Sequence, residues 1–276
     1  MGVLLEPDSV ARQTAFFDRF LKDEDTEVSQ WPPVRLEARE RAYVGEFRAE
    51  QEWPLARTRH ASLYLDASKG ALTSAEVSDE AQVEYDALEG RAVFDHRFDV
   101  DTELTGYMKL RLWVSAEGAD DMDLFVAVQK LDADGQIVPF PFFATFDDGN
   151  VAVGWLRVSR RELDPERSTP EQPRYLHRSD QPLTSGEVVP VDIEIWPSGT
   201  RFRGGETLRL VVRATMSTRT LRACSPKVTR SRSTGAAMCC TRVAATTAIS
   251  SCRSFPDSAT CTSRERRRRW HAGHIS

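Results

Sequence analysis

Cysteine is absent from Met1–Met216, and all five cysteines lie between Ser217 and Ser276. Cysteine usage therefore says nothing about the redox compartment of the larger part of the chain. No stretch approaches the roughly 18 apolar residues that a membrane-spanning helix needs. The segment Met1–Pro7 also lacks the basic start, apolar stretch and small-residue cleavage site of a secretory signal. These absences predict a cytoplasmic protein without membrane association.

Catalytic motifs are equally scarce. The sequence has no G-x-S-x-G pentapeptide, the turn that exposes the nucleophilic serine of α/β-hydrolases. The histidines before Ser217 are His60, His96 and His177, and none stands in an H-x-x-H, H-E-x-x-H or C-x-x-C context that could hold zinc. We therefore predict no catalytic residue, no metal site and no cofactor, and we expect these histidines at packing or surface positions.

Acidic residues cluster twice without forming a recognisable site. Asp120, Asp121 and Asp123 form one group, and Asp132–Gly135 resembles the beginning of a calcium-binding loop. The distal bidentate glutamate of such a loop would fall near Phe143, so the pattern does not match. We expect turn and strand-edge roles for both groups.

Charge divides the chain into two parts. Acidic side chains outnumber basic ones in Met1–Met216, whereas Ser217–Ser276 contains many Lys and Arg and only Asp257 and Glu265 as acidic residues. The cluster Arg266–Arg269 in the basic part could attract nucleic acid or acidic lipid. We infer below that this tail arises from a shifted reading frame. Its basic cluster is then accidental, and we predict no nucleic-acid partner.

Near the N-terminus, apolar residues recur at spacings of three and four, which predicts one amphipathic helix with Asp8 or Ser9 as its N-cap. An exposed stripe with three phenylalanines on a lone helix would be a sticky patch. The helix is therefore expected to be the last helix of a larger domain or to dock on the rest of this chain, and Lys22–Pro33 is expected to be a linker. The periodic residues are Val10, Ala11, Ala15, Phe16, Phe17, Phe20 and Leu21.

From Val34 the apolar period changes to two, which is typical of strands with one buried face. About eight strands in roughly 180 residues, with no helical pattern between them, favour an antiparallel β-sandwich, and a jelly roll is the preferred topology. The clearest alternations are Met108–Val114, Leu124–Val128, Val191–Ile195 and Leu208–Val212, and weaker ones cover Tyr43–Arg48, Ser62–Leu65, Ala92–Phe98 and Val151–Val158.

Two long irregular stretches interrupt the strands, at Val138–Asn150 and Arg161–Gly186, and loops of this length are often functional or form interfaces. The first has an unusual density of aromatic side chains, which are expected either to pack on the domain's own core or to form the apolar wall of a pocket or interface. These aromatic residues are Phe140, Phe142, Phe143 and Phe146.

Seven segments carry a resemblance to a known family: Phe16–Lys22, Pro32–Leu36, Glu52–Thr58, Leu63–Asp66, Asp120–Phe125, Gly154–Ser159 and Pro190–Pro197. In this order they resemble the C-terminal half of the CocE/NonD hydrolases, which include cocaine esterase and the X-prolyl dipeptidyl-peptidases. The resemblance spans the chain from about Val10 to Ala214.

The resemblance implies a domain organisation. Residues 1–33 would be the terminal helix and linker of a truncated α/β-hydrolase domain, and residues 34–214 a jelly-roll domain of galactose-binding-like shape. In the family, the catalytic Ser, Asp and His all precede that helix, so none of the three is assigned to a position here. The jelly roll of such enzymes contributes apolar residues to the acyl pocket, and Phe140, Phe142, Phe143 and Phe146 are the residues expected to do so here.

The segment Ser217–Ser276 lacks any periodicity and is rich in Ser and Thr. Disordered tails can have this composition but seldom contain five cysteines. A shifted reading frame explains both features. In the shifted frame, each codon consists of the third base of one original codon and the first two bases of the next. Met238–Thr241 then reads as Val, Leu and His or Tyr. Family-like segments are likewise allowed over Ala214–Lys227 and Arg232–Pro256. We therefore expect the native frame to be lost near Ala214 and residues 215–276 to be a frameshifted, disordered basic tail.

Together these patterns predict an all-β domain, a jelly-roll β-sandwich preceded by one helix. The resemblance implies the non-catalytic C-terminal domain of a serine hydrolase, an esterase, amidase or X-Pro dipeptidyl-peptidase, which would be inactive alone. Its implied partners are the α/β-hydrolase domain and a small ester or peptide substrate. One alternative is a stand-alone galactose-binding-like module for carbohydrate or protein. Another is a chain that complements a separately encoded hydrolase half.

Overall fold

The computed structural model describes residues 6–142, 146–214, 237–240 and 247–252, which contain one α-helix and sixteen strands. Helix α1 covers Pro7–Lys22, and short 3₁₀ turns cover Glu27–Gln30 and Val158–Arg160. The strands are β1 Val34–Arg41, β2 Val44–Glu50, β3 Arg59–Asp66, β4 Ala71–Thr73, β5 Val83–Asp86, β6 Ala92–Arg97, β7 Thr102–Ala116, β8 Asp123–Leu131, β9 Ile137–Val138, β10 Phe140–Phe142, β11 Phe146–Gly149, β12 Ala152–Arg157, β13 Val189–Phe202, β14 Thr207–Arg213, β15 Ala237–Cys240 and β16 Thr247–Cys252.

Helix α1 begins before the residues that we predicted to cap it. Glu6 is the N-cap residue, without a side-chain cap hydrogen bond, and Pro7 is the first helical residue. The prediction of Asp8 or Ser9 as N-cap was wrong because proline, with its missing N–H and fixed φ, suits the first helical position. The helix ends at Lys22, its C-cap residue Asp23 has a left-handed φ of 58°, and no residue of α1 is buried.

The long strands alternate between core and outside through most of their length, as their sequences predict. This holds for β7, β8, β13 and β14, in which the apolar residues of one face are buried. Burying each such side chain stabilises the fold by about 1.5–3 kcal/mol. The largest apolar side chains that are almost completely buried are Phe140, Phe202, Leu65, Leu110, Leu112, Leu124, Ile193, Ile195, Leu210 and Val114.

Fourteen of the described strands pair in one curled sheet, in which β9 pairs only with β8, and β10 and β11 form a separate two-stranded sheet. The order is β2-β1-β13-β12-β8-β14-β6-β4-β3-β16-β7-β15-β5, and β13 also pairs with β7. Strand β7 lies far from β13 along this path. The additional pairing of β13 with β7 therefore closes the sheet into a ring around the cluster of buried side chains. The structure confirms the predicted all-β class with one preceding helix. The jelly-roll topology and the galactose-binding-like shape stay predictions.

Two strands fall in the segment that we predicted to be an out-of-frame, disordered tail. Strand β15 pairs with β5 and β7, and β16 pairs with β3 and β7. Ladder hydrogen bonds join backbone groups, which every residue except proline supplies in full, so these pairings do not depend on the reading frame. The rest of residues 215–276 lies outside the described residues. The frame shift and the domain boundaries at residues 33 and 214 therefore stay predictions.

Candidate functional site

The phenylalanine cluster, which consists of Phe140, Phe142, Phe143 and Phe146, begins in the protein core. Phe140 is fully buried, and the guanidinium carbon of Arg39 lies 5.2 Å from the centroid of its ring. Strands β10 and β11 pair antiparallel and carry Phe142 and Phe146 opposite each other. The side chains of these two residues, and the whole of Phe143, lie outside the described residues. One of the four predicted pocket residues is therefore an anchor in the core, and the lining role of the group stays a prediction.

A buried ionic network fixes the loop between β2 and β3, which contains the family-like segment Glu52–Thr58. Glu50 is 6% exposed and accepts hydrogen bonds from Arg57 Nη1 and Arg48 Nε, both at 2.6 Å. Arg48 also donates Nη1–H and Nη2–H to the two carboxylate oxygens of Glu103, at 2.8 and 2.6 Å. The hydrogen bond from Arg57 lowers the pKa of Glu50. Burial raises the pKa of Glu103, but hydrogen bonds led by the one from Arg48 outweigh it, so the net change is downward.

The histidines occupy the packing and surface positions expected from the sequence. His96 Nδ1 lies 2.9 Å from the carbonyl oxygen of Leu72, and its ring packs edge-on against Phe98. His60 is an exposed residue of β3, and His177 lies in the long loop with a φ of 51°. Among the described residues, no group of three or more His, Cys, Asp or Glu is placed to hold a metal ion. No helix in the same part of the chain is long and apolar enough to cross a membrane.

The first acidic group is structural. Asp121 accepts hydrogen bonds from the backbone N–H of Ser159 at 2.9 Å and from its hydroxyl at 2.7 Å. Asp123 accepts two hydrogen bonds from Arg157, at 2.8 and 2.9 Å, and this hydrogen bonding raises the pKa of the guanidinium. These contacts tie the start of β8 to the end of β12, which is the strand-edge role that the sequence predicts.

The long irregular stretch Arg161–Gly186 packs over β13. Tyr175 donates its hydroxyl hydrogen to the carbonyl oxygen of Asp192 at 2.7 Å and accepts from the backbone N–H of Glu194 at 3.3 Å. Burial raises the pKa of Tyr175 to about 12. Leu183 is buried in the main cluster. This loop is therefore part of the fold, and its contacts give no sign of a ligand site.

One face of α1 presents large apolar side chains to solvent. Phe16, Phe17, Phe20 and Leu21 are 46%, 53%, 63% and 76% exposed. The ring centroid of Phe16 lies 5.7 Å from that of Phe17 and 4.7 Å from that of Phe20, so the rings form a continuous patch. An exposed apolar patch of this kind is a candidate contact surface.

A second exposed aromatic group was missed by the sequence reasoning. Trp155 of β12 and Trp196 of β13 are 48% and 44% exposed, with ring centroids 5.0 Å apart and an angle of 61° between the rings. The two strands approach closely beside them, because a Cβ on Gly154 would run into the carbonyl oxygen of Glu194. Glycine therefore permits the contact between the two indoles.

A cavity of about 370 Å³ adjoins Trp155. This volume lies within the roughly 300–1,000 Å³ of small-molecule sites. Two arginines of its lining are held in ion pairs, Arg157 with Asp123 at 2.8 Å and Arg160 with Asp180 at 2.6 Å. The lining residues are Asp123, Leu124, Phe125, Trp155, Leu156, Arg157 and Arg160.

The alternation of the two strands in the sequence indicates that each tryptophan points outward. Trp155 follows Gly154 in β12, and Trp196 follows Ile195 in β13, so each tryptophan takes an outward position in an alternating strand. A large aromatic side chain at an outward position is unusual unless another group covers it. The molecule therefore has two exposed apolar surfaces, one on its helix and one on its sheet.

Comparison with known proteins identifies the family. The X-Pro dipeptidyl-peptidase C-terminal non-catalytic domain matches residues 26–249, and the chain belongs to this family. A crystal structure of a CocE/NonD family hydrolase from Staphylococcus aureus is 37% identical and superposes with a TM-score of 0.79, covering 91% of this chain and 46% of that one. The predicted resemblance to the C-terminal half of CocE/NonD hydrolases is thereby confirmed. This chain spans less than half the length of that relative.

Two more distant structures share the fold. An aminopeptidase from a marine sediment archaeon, Thaumarchaeota archaeon, is 15% identical, with a TM-score of 0.58 over 87% of this chain and 43% of that one. An α-amino acid ester hydrolase is 14% identical, with a TM-score of 0.60 over 88% of this chain and 45% of that one. No curated protein matches the sequence.

Proposed function

We propose that this chain is the non-catalytic half of a CocE/NonD-type serine hydrolase that cleaves ester or amide bonds, X-Pro peptides included, and that it is inactive without an α/β-hydrolase domain. The observation that carries this proposal is the apolar face of α1. The family's domain begins at residue 26, after α1 has ended. The helix thus precedes the non-catalytic domain and exposes three phenylalanines, which the described residues of the chain do not bury. A hydrolase domain that packs on α1 would cover them.

Co-expression tests this proposal. We would express the tagged chain together with the α/β-hydrolase half of the Staphylococcus aureus relative, and measure co-purification and the hydrolysis of simple p-nitrophenyl esters. We expect a complex with esterase activity that a serine-directed phosphonate abolishes, and no turnover by the tagged chain alone. Phosphonate-sensitive turnover by the chain alone would contradict the inactivity, and a hydrolase half that never co-purifies would contradict the partnership.

We further propose that the phenylalanine cluster contributes to the acyl pocket of the assembled enzyme. Its support is the anchoring of Phe140 in the core next to Arg39, since a segment with one buried end can hold the following residues at a defined position. Replacing Phe142 and Phe146 by Ala in the complex should shift the preference among ester chain lengths toward longer acyl groups. An unchanged ratio of kcat/KM between acetyl and hexanoyl esters would exclude the pocket role.

A further inference from the structure

The hairpin of β1 and β2 contacts the start of the phenylalanine cluster. Arg39 of β1 has its guanidinium carbon 5.2 Å from the centroid of the Phe140 ring. We propose that Arg39 is a positioning residue for the acyl pocket, which fixes Phe140 and thereby the place of strand β10 and the acyl-chain preference of the assembled enzyme. The inference rests on the pocket role proposed for the phenylalanine cluster, because it names a residue outside the cluster on which that role depends.

The guanidinium of Arg39 is also held by strand β13. Its Nη2 donates a hydrogen bond to Ser198 Oγ at 3.3 Å, and Ser198 Oγ lies 2.9 Å from Thr200 Oγ1. Thr200 is at the same time the residue that pairs with Arg39 in the parallel bridge between β1 and β13. Both hydroxyl residues are buried. Arg39 is therefore fixed to the main sheet, and Phe140 takes its position from a fixed group.

The charge of Arg39 lies in a partly desolvated place. Burial lowers the pKa of its guanidinium, and the charge of Glu37 opposes this change only in part. In the part of the chain that the structure describes, the guanidinium contacts the Ser198 hydroxyl and the Phe140 ring. A cation over an aromatic ring is attracted to it more strongly when the cation is removed from water. The contact with Phe140 is therefore a specific tether.

A backbone hydrogen bond supplies a second tether beside the first. The N–H of Ala42, in the turn between β1 and β2, donates to the carbonyl oxygen of Pro139 at 3.2 Å. The hairpin thus contacts two consecutive residues, Pro139 through its backbone and Phe140 through its ring. Two residues further on, Phe142 lies opposite Phe146 in the pairing of β10 with β11. Because β10 is a short extended strand, a displacement at Phe140 is passed on to Phe142.

The test compares two arginine–phenylalanine contacts in the co-expressed complex. Arg39→Met removes the charge that faces Phe140, and Arg39→Lys keeps a cation on the same strand position. The matched control is Arg35→Met, because the guanidinium carbon of Arg35 lies 3.6 Å from the centroid of the Phe47 ring, within the same hairpin. The measured quantity is the ratio of kcat/KM between hexanoyl and acetyl esters, which does not depend on the amount of complex.

We expect Arg39→Met to shift this ratio toward hexanoyl esters by about 10-fold, since a small misplacement near the reacting atoms changes rates strongly. Arg39→Lys should restore most of the wild-type ratio, and Arg35→Met should leave it unchanged. Circular dichroism and the urea midpoint verify that the variants fold. If Arg39→Met does not fold, Ser198→Ala takes its place, because it removes the hydrogen bond to the guanidinium. Its shift should have the same direction and a smaller size.

A second readout is amide hydrogen exchange of the isolated chain, which needs no hydrolase half. The peptide of residues 138–142 should exchange faster in Arg39→Met than in the wild-type chain, because β10 loses a tether. In Arg35→Met the same peptide should exchange at the wild-type rate. An unchanged exchange rate in Arg39→Met would overturn the positioning role.

The outcomes separate this inference from the proposed function. If the wild-type complex is inactive, or if Phe142→Ala with Phe146→Ala leaves the ester ratio unchanged, the proposed pocket fails and this inference with it. If the phenylalanine variant shifts the ratio but Arg39→Met does not, this inference alone is overturned. It is also overturned if Arg35→Met shifts the ratio as much as Arg39→Met does, since the effect would then belong to the hairpin as a whole.

Discussion

Helix α1 and strand β13 are both rich in apolar side chains, yet they place them in opposite environments. In β13, Val191, Ile193 and Ile195 are 0–2% exposed. In α1, Phe17 and Phe20 are 53% and 63% exposed. Strand β13 finds its partners within the chain, in β7, β12 and β1. The sheet therefore buries its apolar side chains within the chain, whereas α1 leaves large apolar side chains exposed, as expected if a hydrolase domain covers them in the proposed enzyme.

The largest effect is expected from shortening one buried side chain at the end of β13. Phe202 is fully buried, and its ring centroid lies 4.9 Å from that of Phe98. We expect Phe202→Ala to lower the free energy of unfolding by about 3–5 kcal/mol, because the cavity is lined by rigid strands. Urea unfolding measures the loss. A decrease below about 1 kcal/mol would show that the sheet core is not tightly packed at this end.

The next largest loss of stability is expected when the ionic network around Glu50 is disrupted. We expect Glu50→Gln to lower the stability at pH 7 by about 1.5–3 kcal/mol, the contribution of hydrogen bonds to a charged group. Urea unfolding at this pH measures the loss. The matched control is Glu52→Gln, an exposed glutamate of the neighbouring loop, which should change the stability little.

The same network predicts a dependence of stability on pH. The pKa values of Glu50 and Glu103 are lowered in the folded protein. Their contribution is therefore present above the unfolded glutamate pKa of about 4.3 and is lost as pH falls through the folded values. Urea midpoints between pH 7 and pH 3 should fall in the wild-type chain and fall less steeply in Glu50→Gln. Equal slopes would mean that Glu50 does not titrate differently in the folded and unfolded chain.

A smaller and more local loss of stability is expected where β12 and β13 approach each other closely. Gly154→Ala places a Cβ against the carbonyl oxygen of Glu194 and must push the two strands apart. We expect a loss of about 1–3 kcal/mol, the usual effect of overpacking, together with an altered near-ultraviolet circular dichroism signal from Trp155 and Trp196. Val44→Ala, at an exposed position of β2, is the control and should leave this signal unchanged. An unchanged aromatic signal in Gly154→Ala would show that the indole contact does not depend on this glycine.

The smallest effect is expected on α1. In the isolated chain, Phe17→Ala with Phe20→Ala should change the free energy of unfolding by less than about 0.5 kcal/mol, because exposed side chains bury little area on folding. In the complex with a hydrolase half, the same variant should lower affinity. A large loss of stability in the isolated chain would mean that α1 packs on its own sheet, and the contrast with β13 would disappear.

Alternation in β7, β8, β13 and β14 predicted both the strands and the sides that they bury, because period two leaves few other ways to hide these residues from water. The N-cap of α1 was predicted wrongly, because the preference of Pro7 for the first helical position was overlooked. The paired tryptophans were also missed. They lie far apart in the sequence, and nothing local indicates that β12 and β13 are neighbours.

The amino-acid sequence by itself determined the all-β class, the single preceding helix and the family, because these depend on local period and on the order of short segments. Only the tertiary structure decided that Phe140 is a core residue, that Glu50 and Glu103 share Arg48, and that Trp155 meets Trp196 across Gly154. The physical reason is that these contacts join residues distant in the chain. Strand register brings such residues together, and register follows from the packing of the whole sheet rather than from any one segment.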